Sequence, residues 1–86
     1  MDNAKYIIVD SPRYGEYPII FPMFIDHSTM AYSHTVISAG FVHITGDDYK
    51  ALSNCFGEST TLKLKSRQEE DSRLVDQLLR IGKYSE

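Results

Sequence analysis

The hydrophobic pattern begins with two short apolar runs joined by turn-forming residues. Residues 5–9 are rich in β-branched side chains, and residues 10–15 have the composition of a loop. Residues 17–22 form a second run bracketed by prolines. Because proline cannot donate to a strand ladder, we expect this run at a sheet edge. The two runs predict a β-hairpin with a long tip.

The longest β pattern covers residues 35–45 and ends at a turn-forming segment, residues 46–48. We expect this strand to pair with residues 49–56 as a hairpin. The small residues 38–40 weaken the strand and indicate a bulge or the close approach of another element, such as a helix packed over them. Residues 60–65 alternate apolar and polar positions, which predicts a further strand with its two leucines on one face.

A short helix is predicted after the second strand, over residues 27–33. Asp26 precedes this segment, and its carboxylate can accept backbone N–H bonds at the helix start. Ile25 and Met30 have the spacing of a hydrophobic staple, which fixes the entry of a chain into a helix.

The last part of the chain carries the clearest helical pattern. Ser66 and Glu69 have the spacing of a capping box, and residues 69–71 are acidic, which suits the positive end of a helix. Gly82 is placed to end the helix in the left-handed conformation. The apolar stripe that would pack on a sheet consists of Leu74, Val75, Leu78 and Leu79.

These elements predict an α+β fold in a single domain, residues 1–86. We expect a small, mostly antiparallel sheet of four to five strands, with the C-terminal helix packed on one face and one short helix after strand two. The only cysteine is Cys55, so neither an intramolecular disulfide nor a cysteine-based zinc site can form. Cysteine usage therefore favours a reducing compartment.

Charge and hydropathy narrow the classes of partner. The net charge is −3, with nine Lys and Arg against twelve Asp and Glu, so nucleic-acid binding is disfavoured. The first residues do not resemble a signal peptide, and no apolar run approaches the roughly 20 residues of a membrane span. We expect a cytoplasmic protein without a membrane partner.

The candidate catalytic residues are Cys55 and three histidines, His27, His34 and His43. A thiol nucleophile needs a base that generates the thiolate, and a histidine could supply it. Cys55 adjoins Phe56 in a predicted strand, however, where a free cysteine usually behaves as a small buried hydrophobe. The histidines lack the spacing typical of a metal site, so we expect no metal and no cofactor.

The first loop, residues 11–17, is the candidate binding site. It displays Arg13, Tyr14 and Tyr17, and tyrosine and arginine are the side chains that most often anchor protein interfaces. The alternative is that both tyrosines fold back onto the sheet, where tyrosine can cover the rim of a small core.

Four segments, in order along the chain, carry a likeness to known sequences. They are Ile19-Ile20-Phe21-Pro22, Val36-Ile37-Ser38-Ala39-Gly40-Phe41-Val42, Cys55-Phe56-Gly57-Glu58-Ser59 and Ser66-Arg67-Gln68-Glu69-Glu70-Asp71-Ser72. Through them the chain resembles a family of small uncharacterised proteins of phages and bacterial genomes. The resemblance implies a phage or prophage setting and no particular activity.

The sequence favours a small non-enzymatic protein-binding module. One form would be a phage-encoded inhibitor or adaptor that acts on a host protein, with anti-CRISPR and anti-restriction proteins as examples of the type, because acidic side chains can occupy a basic groove. One alternative is a small enzyme or ligand sensor that uses Cys55, a histidine and Glu58. A second alternative is a subunit of a symmetric homo-oligomer.

Overall fold

The computed structural model describes residues 3–45 and 52–84, with side chains in the last helix as far as residue 80. The predicted turn at residues 46–48 and the start of the strand that follows it lie outside these residues. The elements, in chain order, are β1 (Asn3–Ser11), β2 (Gly15–Phe21), α1 (His27–Ala31), β3 (Val36–Thr45), β4 (Leu52–Phe56), β5 (Glu58–Ser59), β6 (Leu64–Lys65) and α2 (Glu69–Tyr84).

The main sheet is antiparallel, with strand order β2-β1-β3-β4, and β5 and β6 form a small second sheet. Helix α2 packs against the main sheet. This arrangement confirms the predicted α+β fold, with a four-stranded main sheet.

The core has two layers because the central strand β1 is covered on both faces. Tyr6 and Ile8 point to the α2 side and form a buried cluster with Val75. Ile7 and Val9 point to the other side, where α1 and the β5–β6 segment contribute apolar side chains. Successive side chains of a strand point to opposite faces. The uninterrupted apolar run of β1 is therefore buried along its whole middle.

At the small residues of β3, another part of the chain approaches the strand closely, as predicted. A Cβ atom on Gly40 would lie 2.5 Å from the Phe56 carbonyl oxygen and 3.2 Å from the Ser66 Cβ. The register of β1 against β3 also shifts between Ile8 and Val9, as at a β-bulge. Ser38 donates a hydrogen bond to Asp71 in the first turn of α2, whereas the groups closest to Gly40 belong to residues 56, 57 and 66, so the close approach is not made by a helix packed over the whole stretch.

The β1–β2 hairpin has a short tip, so the prediction of a long one is wrong. Ser11 and Gly15 are paired, and only residues 12–14 form the turn. The Ser11 hydroxyl accepts backbone N–H bonds from Arg13 and Tyr14, both at 3.2 Å. Gly15 has φ of 74°, a left-handed conformation that glycine adopts without steric cost.

The predicted strand at residues 60–65 is wrong for most of its length. Residues 60–63 form a turn in which Lys63 has φ of 57°, and only Leu64–Lys65 pair as β6. The two leucines do share a face, because Leu62 and Leu64 both pack against the core cluster on the α1 side. The alternating pattern therefore predicts the buried side chains correctly, although it does not predict the turn of the backbone.

Both predicted helices form, with caps that differ from the expected ones. Asp26 is the extended residue before α1, yet its side chain makes no capping bond. The capping box at Ser66 is also wrong, since the Ser66 N–H donates to the Gly57 carbonyl at 2.9 Å. Helix α2 begins at Glu69 and continues through Gly82 to Tyr84, so Gly82 does not end it.

Two backbone donors of the edge strand β4 are bonded by side chains of helix α2. In β4, the Ser53 N–H donates to the Asp76 carboxylate and the Cys55 N–H donates to the Ser72 hydroxyl, both at 2.9 Å. In the edge strand β2, Pro18 has no N–H to offer. Side chains of α2 therefore satisfy backbone groups that a neighbouring strand would otherwise use.

Candidate protein-binding surface

One end of the main sheet exposes two tyrosines. The β1–β2 turn and the segment after α1 lie at the same end, because the Asp10 N–H donates to the Thr35 carbonyl at 2.8 Å. Tyr14 in the turn is 74% exposed and Tyr32 after α1 is 82% exposed. We call Arg13, Tyr14 and Tyr32 the sheet-tip surface.

The hairpin turn holds its two anchor side chains together. The guanidinium carbon of Arg13 lies 5.6 Å from the centre of the Tyr14 ring, within the range of a cation–π contact. The two bonds to the Ser11 hydroxyl restrain the backbone of the same two residues. The turn therefore presents an arginine and an aromatic ring in a restricted arrangement.

The three residues predicted for binding have different surroundings. Arg13 and Tyr14 lie together in the exposed turn, as described above. Tyr17 lies in β2, is half-buried, and packs against the core cluster that contains Ile7 and Phe21. The structure thus brings Arg13 and Tyr14 together and gives Tyr17 a core contact.

Sequence reasoning missed Tyr32. The residue follows the last residue of α1, in a turn where the His34 N–H donates to the Ala31 carbonyl at 2.9 Å and Ser33 has φ of 67°. Ile25 and Met30 supply the core contacts of this region, which leaves Tyr32 outside the core. The signal in the sequence is an aromatic residue at the end of a short predicted helix, at a position outside the apolar face of that helix.

Cys55 is a buried core residue, only 2% exposed. Burial raises the pKa of its thiol to about 11, and the negative charge of Asp71 adds to that shift. A thiol with this pKa is almost entirely protonated near neutral pH, and the thiolate is the nucleophilic form.

The structure does not assemble Cys55 with a histidine. Cys55 belongs to the core cluster on the α2 side of the sheet. His43 pairs with Asn54, the neighbour of Cys55, so its side chain points to the opposite face. His27 lies in α1 on that opposite side, with Nε2 2.8 Å from the Gly40 carbonyl. Glu58, the third residue of the enzyme hypothesis, is exposed in β5.

A closed polar network joins α2 to the sheet, and its centre is the fully buried Asp71. The carboxylate accepts hydrogen bonds from the hydroxyls of Tyr6 and Ser38, at 2.5 and 3.0 Å. It also accepts bonds from the backbone N–H and the Nε–H of Arg67, at 2.9 and 2.8 Å. Every oxygen thus has two donors.

The charges around this network support its role in holding the helix. Burial and the bond to Asp71 raise the pKa of the Tyr6 hydroxyl, which stays protonated as a donor. Burial lowers the pKa of Arg67, but bonds to Glu16 and Asp71 outweigh that effect and raise it overall. Arg67 also forms a 2.9 Å ion pair with Glu16 of β2. Both carboxylate oxygens of Asp71 are occupied by protein donors, and the network ties α2 to three strands.

A second surface feature is a groove between β4 and α2. Its volume is about 900 Å³. The lining residues are mostly polar, and they come from strand β4 and from residues 68–80 in and just before α2. They are Ser53, Asn54, Cys55, Phe56, Gln68, Glu69, Ser72, Arg73, Asp76, Gln77 and Arg80.

Within residues 3–45 and 52–84, no cluster of three or more His, Cys, Asp or Glu side chains could hold a metal ion. In the same part of the chain, no helix has the length and apolar character needed to cross a membrane. Comparison of the chain with protein-family models, with curated proteins and with solved structures found no match.

Proposed function

We propose that this chain is a small non-enzymatic protein-binding module that acts through the sheet-tip surface. The observation that carries the proposal is the exposure of Tyr14 and Tyr32 at one end of the sheet, with Arg13 against the Tyr14 ring. Large aromatic side chains exposed at one end of a small domain are suited to contact a protein partner.

The physical chemistry of these side chains suits an interface. Tyrosine and arginine are enriched among the residues that dominate binding energy, and a tyrosine ring loses little conformational entropy when it is fixed. The Ser11 hydroxyl restrains the turn before any partner binds. A restrained site loses less conformational freedom on association, which favours affinity.

We propose a phage-encoded inhibitor or adaptor of a host protein as the form of this module, active in the cytoplasm. The net charge of −3 favours a partner with a basic surface, such as a nucleic-acid-processing protein of a restriction or CRISPR system. Electrostatic attraction of this kind accelerates association and weakens with added salt. The enzyme alternative gains no support from a Cys55 whose thiol is buried and protonated.

The test uses a photo-crosslinking phenylalanine analogue at Tyr14 or Tyr32, with the same analogue at Phe24 as the matched control. Phe24 is 87% exposed and follows β2 at the opposite end of the sheet. A partner that contacts the sheet-tip surface should crosslink at Tyr14 and Tyr32 and not at Phe24.

Affinity is then measured by calorimetry with the crosslinked partner. Tyr14→Ala or Arg13→Ala should lose about 2 kcal/mol, roughly thirtyfold in Kd, and Phe24→Ala should leave Kd unchanged. Circular dichroism verifies that each variant is folded. Equal affinity of wild type, Arg13→Ala, Tyr14→Ala and Tyr32→Ala would refute the assignment of this surface.

A further inference from the structure

Helix α2 carries an alternating stripe of charges on the side that faces the groove to β4, with Asp76 half-buried and the other three members exposed. Glu69, Arg73, Asp76 and Arg80 follow one another at intervals of four, three and four residues. Side chains at these intervals lie on one side of an α-helix, one above the other. All four line the groove between α2 and β4. We call these four residues the charge stripe.

Among the residues whose side chains the structure describes, no ion pair within the helix joins two members of the charge stripe. In the part of the chain that the structure describes, the ion pairs within 4.0 Å all involve Arg67, which lies outside the stripe. Asp76 instead accepts two hydrogen bonds from Ser53 through one carboxylate oxygen. Among the described residues, the guanidinium groups of Arg73 and Arg80 therefore have no carboxylate partner.

We propose that the charge stripe is a self-complementary interface that binds the same stripe of a second copy of this chain, with the two helices antiparallel. Residues 69 and 80, and residues 73 and 76, are each symmetric about the point between Leu74 and Val75. A twofold axis through that point places Glu69 opposite Arg80 of the partner subunit. The same axis places Arg73 opposite Asp76 of the partner subunit.

The symmetry of the arrangement doubles each contact. In an isologous interface every pair occurs twice, so the stripe supplies four intermolecular ion pairs. A parallel arrangement in register would instead place like charges opposite each other, which is unfavourable. The charge order along α2 thus selects both the partner, a second copy, and its direction.

The chemistry also predicts how strong this association is. Ion pairs that stay near solvent contribute little each and are screened by salt, so we expect a weak, salt-sensitive dimer. The interface is formed by α2 and not by the sheet-tip surface, so this inference does not rest on the proposed function.

Sedimentation equilibrium of charge-reversal variants tests the proposal. Glu69→Arg alone and Arg80→Glu alone each place like charges opposite each other in the homodimer. Each should dimerise at least about tenfold more weakly than wild type. An equimolar mixture of the two restores opposite charges at both positions, as does the double variant E69R/R80E. Both should recover association close to that of the wild type, whereas Lys63→Glu, an exposed charge reversal outside the stripe, should match wild type throughout.

Arg73→Glu provides a second test in the middle of the helix, away from the helix ends. It should also weaken association, and circular dichroism verifies that each variant is helical. Raising NaCl from about 50 mM to about 500 mM should weaken the wild-type dimer about tenfold. A wild-type chain that stays monomeric up to about 1 mM overturns the proposal. So does a mixture of Glu69→Arg and Arg80→Glu that associates no more tightly than either variant alone.

Discussion

Replacement of Asp71 by asparagine should destabilise the fold severely although it changes almost no volume. Each carboxylate oxygen accepts two hydrogen bonds, one set from Ser38 and the Arg67 Nε–H, the other from Tyr6 and the Arg67 backbone N–H. An asparagine NH₂ group cannot accept, so either orientation leaves two donors facing a donor. The substitution also removes the charge that balances Arg67.

The magnitude follows from the burial of the site. Removing one partner of a buried, hydrogen-bonded ion pair costs about 3–5 kcal/mol. For 86 residues, a stability of ~0.05–0.15 kcal/mol per residue gives about 4–13 kcal/mol in total. The Asp71→Asn protein should therefore lose a large fraction of its free energy of unfolding, and its Tm should fall by roughly 12–40 °C.

The assay is urea unfolding followed by far-UV circular dichroism in dilute protein. Asp76→Asn is the matched control on the same helix, because both bonds from Ser53 reach one oxygen of Asp76, which an amide oxygen can replace. It should cost less than about 1 kcal/mol. In the Asp71→Asn background, Tyr6→Phe should cost less than in the wild type, since the hydroxyl of Tyr6 then no longer bonds to a buried carboxylate. A loss below about 1 kcal/mol for Asp71→Asn would refute the reasoning.

Three further outcomes can be measured with single variants. Native Cys55 should react slowly with iodoacetamide near neutral pH. Because folding raises the pKa of its thiol from 9.0 to about 11, the wild type should lose more stability than Cys55→Ala as the pH rises from 9 towards 11. Leu78→Ala should lower the free energy of unfolding by about 1 kcal/mol, because Leu78 is 41% exposed. Val75→Ala should lower it by about 2–3 kcal/mol, because Val75 is fully buried. If urea unfolding shows the same loss of stability for both variants, Leu78 is as buried as Val75 and the prediction is wrong. Gly40→Ala should lose about 1–3 kcal/mol or more, since its Cβ would meet the backbone oxygen of Phe56 at 2.5 Å, and an unchanged urea midpoint would contradict that close approach.

Sequence pattern predicts an element well when the spacing of its own apolar residues identifies its buried face. The β-branched run of β1 and the apolar stripe of α2 both report a buried face, and the small residues 38–40 report a close approach. Leu78 marks the limit of this reasoning, because it has the spacing of the stripe but lies at its exposed margin. Periodicity gives the direction of a side chain and not the width of the surface that covers it.

The polar network and the sheet-tip surface depend on contacts that local pattern does not encode. Tyr6 and Asp71 are 65 residues apart in sequence, and their hydrogen bond exists only once β1 and α2 have met. The acidic run predicts that Asp71 lies at the positive end of a helix, yet Asp71 also shares a helix face with Val75, four residues later. That shared face was the signal for a buried carboxylate. Tyr32 could not be assigned to this end of the sheet from its own sequence neighbourhood, because its position follows from the hydrogen bond between Asp10 and Thr35 that joins β1 to the segment after α1.

The hydrogen bonds from β4 to Ser72 and Asp76 of α2 protect this edge strand from pairing with another molecule. If α2 leaves the sheet, the N–H groups of Ser53 and Cys55 lose their acceptors, and β4 becomes an open edge. An open edge is a template on which a strand of another molecule can add. Partial unfolding of this helix would therefore create, in the same step, an exposed apolar core and a site that nucleates aggregation. Variants that loosen α2 should consequently lose solubility before they lose their sheet.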